Sequence, residues 1–334
     1  RFTINYNLFK EERQFIGCEN NKVQVTEISL RKFNSSLDFQ TKLEAIKHII
    51  LCSKILLFSK DLNKLCETIL SFLILLFPFK YPFQVTSYLH KDNYNILESI
   101  SPYFIGIKEK YSDLFFDQNE ICIDGMNIFI IDLDKKKSYI KSDETFPNFP
   151  SKLTSALEKD IKSLESKFKK ENEPKKNEYN ILYQNLFFEF FCELLKGYEE
   201  CLNMDYFKLS DEDKSTSIDT LFQCSKYVKS HNESGFYKLF SEESQLFADF
   251  IYKRMIPRNN QEIIDVLLVN ETNLKMKNKS KIFGRDNNTD FLDSDDYNIS
   301  NTYLVPDPRA VTNEEKKEIL DKKDLLLTFG QSNR

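Results

Sequence analysis

The sequence predicts an α/β protein in which a mostly parallel central sheet flanked by helices is followed by an all-helical domain. Continuous apolar runs at residues 55–58 and 128–131 are typical of strands covered on both faces, as in parallel sheets. A helical pattern separates the first run from the next extended segment, and a crossover of this length suits a parallel strand pair. From residue 180 onward the apolar residues recur at helical spacing, which predicts the helical domain.

The first predicted elements precede the sheet's first buried strand. Alternation of Val23 and Val25 with polar residues allows a short strand or an extended lead-in. A helix is predicted over residues 39–50, because its apolar residues fall on one face. That helix should pack on the sheet.

A long amphipathic helix is predicted after the strand at residues 55–58. Ser59 is its predicted N-cap, and Asp61 places a favourable charge in the first turn. Apolar residues then recur at helical spacing as far as Leu76, and Pro78 ends the helix. The extended segment at residues 83–89 is the next predicted strand.

Further strands are predicted at residues 103–107 and 128–131, with a short helix at residues 94–100. Asp132 and Asp134 lie just beyond the last of these strands. Carboxylates in this position can pair as a general acid and base in an enzyme crevice. More often, such carboxylates cap a neighbouring helix or turn.

The second half of the chain is predicted to be helical. Two prolines within residues 145–150 mark a boundary. Residues 151–178 mix acids and bases, which favours a solvated helix and a linker over a membrane or partner tether. Residues 180–202 carry an apolar stripe too wide for a surface helix, so this helix should lie between other elements. Residues 271–334 are predicted to be a polar, partly disordered tail with a short helix at 313–326.

Composition excludes several functional classes. The formal net charge of −5 provides no basic face for nucleic acid. The apolar run at residues 69–79 is too short to cross a hydrocarbon core of about 30 Å, so no transmembrane segment is predicted. The seven cysteines are odd in number and contain no C-x-x-C pair, which favours a reducing setting, the cytosol. Several of these cysteines lie in apolar runs, where a thiol behaves as a small buried hydrophobe.

No chemical active site stands out, and no cofactor or metal is predicted. Nucleotide-binding glycine motifs and the serine hydrolase motif are missing from the sequence. The three histidines are not at metal-ligand spacing. A calcium loop starting at residue 286 is rejected, since Phe291 stands where glycine is needed and Tyr297 where glutamate is needed.

Four short segments, in this order, resemble the central part of DENN-domain proteins. Their sequences are LLFS at 56–59, FPFKYPF at 77–83, SPYFIGI at 101–107 and FIIDLD at 129–134. The positions that match the family's motifs are Pro78, Phe79, Tyr81, Pro102, Gly106, Asp132 and Asp134. Tyr81 stands where the family usually has Trp, and Cys52 stands where an acidic residue is common. A polar segment at 84–87 replaces the family's proline-rich one.

Two later segments resemble the family's downstream helical domain, the first its start and the second its next signature. They are the phenylalanine-rich residues 185–202 and residues 235–255, where Ser244 stands at a usual Thr position. The resemblance covers residues 23–270. It implies a link from a missing upstream longin-like lobe at 1–22, a central DENN α/β domain at 23–150, the charged helix and linker at 151–178, and a downstream DENN domain at 179–270.

The resemblance implies a guanine-nucleotide exchange factor for a Rab-family small GTPase, acting in vesicle trafficking without covalent chemistry. Such a protein would be cytoplasmic and recruited to vesicle or organelle membranes through its partners. The matched residues would contact the GTPase or support the surface that does. Tyr81 could lie at such an interface, where tyrosines are enriched, although the aromatic cluster around it is more typical of a core.

Two alternatives stay open. The first is a DENN-like scaffold or GTPase effector without exchange activity. The second is a hydrolase built on the same sheet, for which the sequence names no nucleophile and base.

Overall fold

The computed structural model describes residues 5–8, 11–14, 28–108, 128–141, 145–169, 176–208, 217–232 and 234–256, together with Glu262, Asp265, Val266, Val269, Asn270, Thr272 and Asn273. The predicted strand around Val23, the linker at 170–175 and nearly all of the predicted tail lie outside these residues. The rejected calcium loop and the short helix at 313–326 lie outside them as well.

The seven described strands form two sheets. They are β1 (Asn5–Leu8), β2 (Glu11–Gln14), β3 (Lys54–Phe58), β4 (Gln84–Thr86), β5 (Tyr103–Ile107), β6 (Ile128–Asp132) and β7 (Lys137–Lys141). Strands β1 and β2 form an antiparallel pair, and the other five form one sheet in the order β4-β5-β3-β6-β7. In that sheet β3 pairs in parallel with β5 and β6, β4 pairs in parallel with β5, and only β7 among the described strands of this sheet is antiparallel. The predicted mostly parallel sheet is confirmed.

Nine α-helices have bounds that lie wholly within the described residues. They are α1 (Leu30–Ser36), α2 (Phe39–Ile50), α3 (Leu62–Leu75), α4 (Ser151–Lys169), α5 (Lys176–Leu194), α6 (Ile218–Leu221), α7 (Cys224–Ser230), α8 (Gly235–Glu242) and α9 (Gln245–Met255). Three 3-10 segments accompany them, at Lys91–Glu98, Tyr198–Cys201 and Met204–Lys208. None of the described helices is long and apolar enough to cross a membrane.

Successive side chains along each strand point to opposite faces of the sheet. On one face, Phe72 of α3 packs against Phe104 of β5 at 6.0 Å between ring centroids, and His48 of α2 stacks on Phe129 of β6 at 4.5 Å. On the other face, the 3-10 segment Lys91–Glu98 contributes Leu97 to a buried cluster. Both faces are therefore covered, which explains why the central strands are apolar at nearly every position.

The edges of the sheet differ from the prediction. The extended segment predicted at 83–89 forms only the three-residue strand β4, and β5 separates it from β3. The helix predicted at 94–100 is the 3-10 segment Lys91–Glu98. Strand β7 was not predicted, because the turn before it contains lysines instead of the usual glycine or asparagine.

Helix α5 is shorter than predicted. It ends at Leu194, not near Leu202, because Gly197 adopts a left-handed φ of 78° and the chain continues as a 3-10 turn. The prediction that this helix lies between other elements is confirmed, since Phe187 and Phe191 are both buried.

The chain divides into two compact units, with residues 1–194 and 233–250 in one and residues 195–232 and 251–334 in the other. The first unit therefore contains the sheet, helices α1 to α5 and α8. In the second unit, the Tyr198 hydroxyl donates a 2.6 Å hydrogen bond to the side chain of Asn270, and Leu202 forms a bridge with Phe222. The domain limits drawn from the family resemblance stay predictions.

Buried cysteines behave as the sequence predicted. Cys192, Cys201 and Cys224 are buried among apolar side chains, and burial raises the pKa of the Cys192 thiol well above its ordinary value. A buried thiol of this kind is a poor nucleophile and serves packing.

Candidate functional site

The candidate site lies at the carboxyl edge of the parallel sheet, where the chain leaves β3 and β6. The two strands pair in register, with Phe58 opposite Asp132. The Leu133 amide donates to the Phe58 carbonyl at 2.9 Å, and the Ser59 amide donates to the Ile107 carbonyl at 3.2 Å. The segments that follow the two strands therefore lie side by side.

Asp132 caps the turn between β6 and β7. Its side chain is buried, and one carboxylate oxygen accepts hydrogen bonds from the Asp134 amide at 3.1 Å and the Lys135 amide at 2.9 Å. The other oxygen lies 3.5 Å from the Lys135 ammonium group. These contacts hold the turn in one conformation, because both backbone donors would otherwise need water.

Asp134 joins this turn to the start of α3. Its carboxylate accepts hydrogen bonds from the Ser59 hydroxyl at 2.8 Å and the Lys60 amide at 2.9 Å. The Lys64 ammonium group lies 3.5 Å from the same carboxylate and donates to the Leu133 carbonyl at 2.5 Å. One carboxylate thus binds three groups from a segment some 70 residues earlier in the chain.

These contacts set the ionisation of Asp134. Burial alone would raise its pKa, but the hydrogen bonds from the Lys60 amide and the Ser59 hydroxyl, together with the Lys64 charge, lower the pKa below its ordinary value. A carboxylate with a lowered pKa is a weak base. Asp134 is therefore suited to holding structure, and the general-base role in a hydrolase receives no support from this geometry.

The helix cap at this edge differs from the prediction. Asp61, not Ser59, is the N-cap of α3, and its carboxylate accepts hydrogen bonds from the amides of Asn63 at 2.9 Å and Lys64 at 3.3 Å. The Ser59 hydroxyl instead donates to Asp134 and accepts from the Asp61 amide at 3.1 Å. Because the Ser59 hydroxyl is bonded to Asp134 in the segment after β6, Asp61, the next short polar residue, caps α3.

Ser59, Lys60 and Lys64 are the residues of this edge whose contacts sequence reasoning missed. Two of them are polar residues directly after a buried strand, which is a weak signal of a site at a strand end. Their common partner lies across the sheet, and local sequence carries no information about that pairing.

Phe79 and Pro78 lie in the segment after α3, away from the carboxyl edge, and both are buried. The Phe79 ring is 5.4 Å from Phe191 of α5 and 5.9 Å from both Phe240 of α8 and Phe250 of α9, measured between centroids. Phe79 therefore anchors this segment to three aromatic side chains of the same compact unit.

Tyr81 is buried and does not lie at an exposed interface. Its ring packs against Phe83 at 5.5 Å and Phe104 at 6.3 Å. Within the described part of the chain, its hydroxyl has no hydrogen-bond partner. Tyr81 is a core residue, in agreement with the more typical role of an aromatic cluster.

Gly106 allows a close approach of two backbone segments, while Pro102 lies half-buried just before β5. A Cβ atom at Gly106 would overlap the Ser87 carbonyl oxygen and come within 3.3 Å of the Ile69 side chain. The Leu89 amide donates to the Gly106 carbonyl at 2.8 Å, which holds the segment after β4 in this position. The sequence-predicted residues thus divide into an edge pair, Asp132 and Asp134, and a set that packs the fold.

Metal coordination has no candidate among the residues with described positions, where no three His, Cys, Asp or Glu side chains form a cluster. The three histidines stand apart from one another in the sequence. His48 is buried, and its Nδ1 atom lies 2.9 Å from the Ser53 hydroxyl.

Comparisons with known proteins support one family. Residues 2–136 match the family described as the DENN (AEX-3) domain. Over 239 residues, the chain is also 25% identical to a Caenorhabditis elegans protein named myotubularin-related protein 5. This alignment covers 69% of the chain but 13% of that relative, so the chain corresponds to a small part of it.

The family match begins upstream of residue 23, where the sequence resemblance began, and it contains every strand from β1 to β6. It also contains both aspartates of the carboxyl edge. Over residues 2–136, this chain is therefore similar to the DENN-domain family.

Proposed function

We propose that the chain acts as a guanine-nucleotide exchange factor for a Rab-family small GTPase, promoting GDP release in membrane trafficking. The observation that carries this proposal is the DENN-domain match over residues 2–136. The resemblance of the four ordered motifs to DENN-domain proteins implies the same activity. The function needs no covalent step and no cofactor.

Exchange requires a difference in affinity between two states of the GTPase. A factor that binds the nucleotide-free GTPase more tightly than the GDP-bound form weakens GDP binding by the same ratio, because the coupling is reciprocal. Inverting a population from 99:1 to 1:99 takes about 5.5 kcal/mol of differential binding. That free energy calls for a broad interface of about 1,600 Å² and not for a single residue.

The site residues have supporting roles in this proposal. Asp132 and Asp134 hold the backbone of the carboxyl edge through hydrogen bonds to four different groups, counting those of the turn and of the Ser59 segment. Tyr81 and Gly106 pack within the sheet and the segment after β4, while Phe79 packs against three helices. A rigid surface loses little conformational entropy on binding, which leaves more of the contact energy for affinity.

The decisive experiment measures release of fluorescent GDP from a panel of purified Rab GTPases, using the full-length protein that contains this chain. We expect accelerated release from at least one of them. Release with excess EDTA provides the upper reference, and release without added protein provides the lower one. No acceleration with any GTPase of the panel would overturn the proposal.

The alternative is a DENN-like scaffold or effector without exchange activity. It is favoured by two departures from the family motifs, Tyr81 in place of Trp and Cys52 in place of an acidic residue. Binding to GTPase in its GDP, GTP and nucleotide-free forms separates the two functions. An exchange factor prefers the nucleotide-free form, whereas an effector prefers the GTP form.

The domain limits and the cellular setting are part of the same proposal. A helical downstream DENN domain at 179–270 belongs to this proposal, and membrane recruitment would follow from the GTPase partner. A cytoplasmic location agrees with the odd cysteine count.

A further inference from the structure

Three exposed lysines lie together at the carboxyl edge of the sheet. Lys60 follows β3, and Lys135 and Lys136 follow β6, the strand that pairs with β3. We call this group the basic edge. The chain as a whole carries a formal net charge of −5, so the basic edge has the opposite sign to the molecule around it.

The backbone of the basic edge is held by the two aspartates already described. The Lys60 amide donates to Asp134 at 2.9 Å, and the Lys135 amide donates to Asp132 at 2.9 Å. Because both amides are bonded to side chains, the lysines are attached to a fixed framework. This distinguishes them from lysines in a mobile charge run.

Lys136 adds a second, independent observation. It adopts a φ of 54°, in the left-handed region that side chains other than Gly, Asn and Asp seldom enter. Its ammonium group lies 3.4 Å from the Ser35 carbonyl of α1. Backbone strain of this kind is often kept where a side chain must be presented in one direction.

The carboxylates near the basic edge are already bound to backbone donors. Asp61 caps α3, Asp132 caps the turn after β6, and Asp134 binds the Ser59 segment. The Lys135 ammonium group lies 3.5 Å from Asp132 but remains about half exposed, at 52% of its side-chain surface. Lys64 and Lys137 lie in the same two segments, so five lysines and three aspartates give this edge a formal charge of +2.

We propose that the basic edge docks an acidic surface of the GTPase partner and speeds the encounter of the two proteins. This inference rests on the proposed exchange function. Ligands of open parallel sheets bind at the carboxyl ends of the strands, which is where these lysines lie. Charges that are complementary across an interface mainly raise the association rate and fix the orientation of the partners.

An acidic protein surface fits this edge better than a lipid bilayer does. Segments that bind anionic membranes usually gather about four to eight basic residues without interspersed acids. With Lys64 and Lys137, the carboxyl edge has five lysines, but Asp61, Asp132 and Asp134 lie among them. Its charges are fixed in position and mixed with carboxylates, which suits a partner of defined shape.

The test replaces the three lysines by glutamine, which keeps their length and removes their charge. In the full-length protein, we expect K60Q/K135Q/K136Q to lower kcat/KM for GDP release by about tenfold at low ionic strength. The maximal rate at saturating GTPase should stay unchanged, and the difference should shrink at high salt, where surface charges are screened. A merely structural role would not produce this split between KM and kcat or this salt dependence.

A matched control keeps the number of removed charges the same. It replaces three exposed lysines of the same compact unit that lie on α4 and α8, namely Lys152, Lys159 and Lys238. This control should leave kcat/KM near the wild-type value. Thermal unfolding of both triple variants checks that the fold is kept.

Four outcomes separate the possibilities. Loss of kcat/KM in the basic-edge variant alone supports the inference, while equal values in both variants overturn it. If the variant exchanges normally but no longer binds vesicles of phosphatidylcholine and phosphatidylserine that the wild type binds, the edge is a membrane surface and the inference fails. If the wild type releases GDP from no GTPase, the proposed function fails. The affinities of the two triple variants for the nucleotide-free GTPase are then compared. Weaker binding by the basic-edge variant alone supports docking, and equal binding overturns it.

Discussion

The Ser59 hydroxyl donates a 2.8 Å hydrogen bond to the carboxylate of Asp134, which lies 75 residues later in the chain. This bond joins the ends of two adjacent parallel strands. It also explains why Asp61 caps α3, since Ser59 already serves another segment. The stability of the carboxyl edge should therefore depend on the Ser59 hydroxyl, which the local sequence pattern predicts to be a helix cap.

Replacing Ser59 by alanine should lower the free energy of unfolding by about 1 kcal/mol, the net contribution of a typical hydrogen bond. The side chain is buried, so the lost hydroxyl leaves the Asp61 amide without its 3.1 Å acceptor. Urea unfolding monitored by circular dichroism measures the change. Ser166→Ala is the control, because its exposed hydroxyl donates to the Lys162 carbonyl of its own helix. Equal effects of the two substitutions would contradict the role given to Ser59.

Replacing Gly106 by alanine should destabilise the sheet by about 1–3 kcal/mol, the usual range for overpacking. The new methyl group would overlap the Ser87 carbonyl oxygen, which belongs to the backbone and cannot turn aside as a side chain can. Gly235→Ala provides the control, since its nearest neighbour would be the Pro147 Cβ atom at 3.5 Å, an ordinary contact. The shift of the thermal midpoint measures both, and a neutral Gly106→Ala would refute the close approach.

Acid should destabilise the fold through His48. Burial, and to a smaller extent the charge of Lys47, lowers the pKa of His48 to about 4 from an ordinary value of 6.5. Between pH 6.5 and pH 4, His48 is therefore protonated in the unfolded chain but neutral in the folded state. Stability is complete above pH 6.5 and falls as the pH drops from 6.5 towards 4, by at most about 3 kcal/mol at 1.36 kcal/mol per pH unit.

Urea unfolding between pH 7 and pH 4 tests this slope. The variant His48→Gln should flatten the curve, whereas replacing the exposed His90 should not. Burial also lowers the pKa of His231, so this residue adds its own slope in every variant. Parallel curves for the wild type and His48→Gln would show that His48 does not carry the effect.

Replacing Tyr81 by phenylalanine should leave stability unchanged or raise it by about 1 kcal/mol. The hydroxyl is buried, and among the described residues it has no hydrogen-bond partner, so its removal relieves a desolvation cost. Tyr103→Phe is the matched control, because the Tyr103 hydroxyl donates to the Leu97 carbonyl at 3.1 Å. That control should lose about 1 kcal/mol.

The same pair of variants also tests where the GTPase binds. Since Tyr81 is buried, Tyr81→Phe should exchange nucleotide at the wild-type rate. A large loss of exchange with unchanged stability would show that the hydroxyl reaches the partner after a rearrangement.

Much of the fold could be predicted from the sequence. Helix α2 has the predicted limits, residues 39–50, because its apolar face is a local pattern and Asp38 caps its first turn through the Thr41 amide at 2.8 Å. Strands β3, β5 and β6 were predicted because each is a short apolar run, and a run that is apolar on both sides needs cover on both faces.

Other features depend on contacts between distant residues. The length of β4, its separation from β3 and the antiparallel β7 follow from which strands pair, and periodicity along one segment does not encode its neighbour. The end of α5 depends on the left-handed Gly197, which a continuous apolar pattern concealed.

The candidate site divides in the same way. The sequence alone determined that carboxylates follow a buried strand, and it pointed through four ordered motifs to the DENN-domain family. Only the tertiary structure decided that Asp134 binds Ser59, Lys60 and Lys64, and that Tyr81 is buried. The physical reason is that strand and helix patterns arise from neighbours along the chain, whereas the partners of a polar side chain arise from how the sheet brings separate segments together.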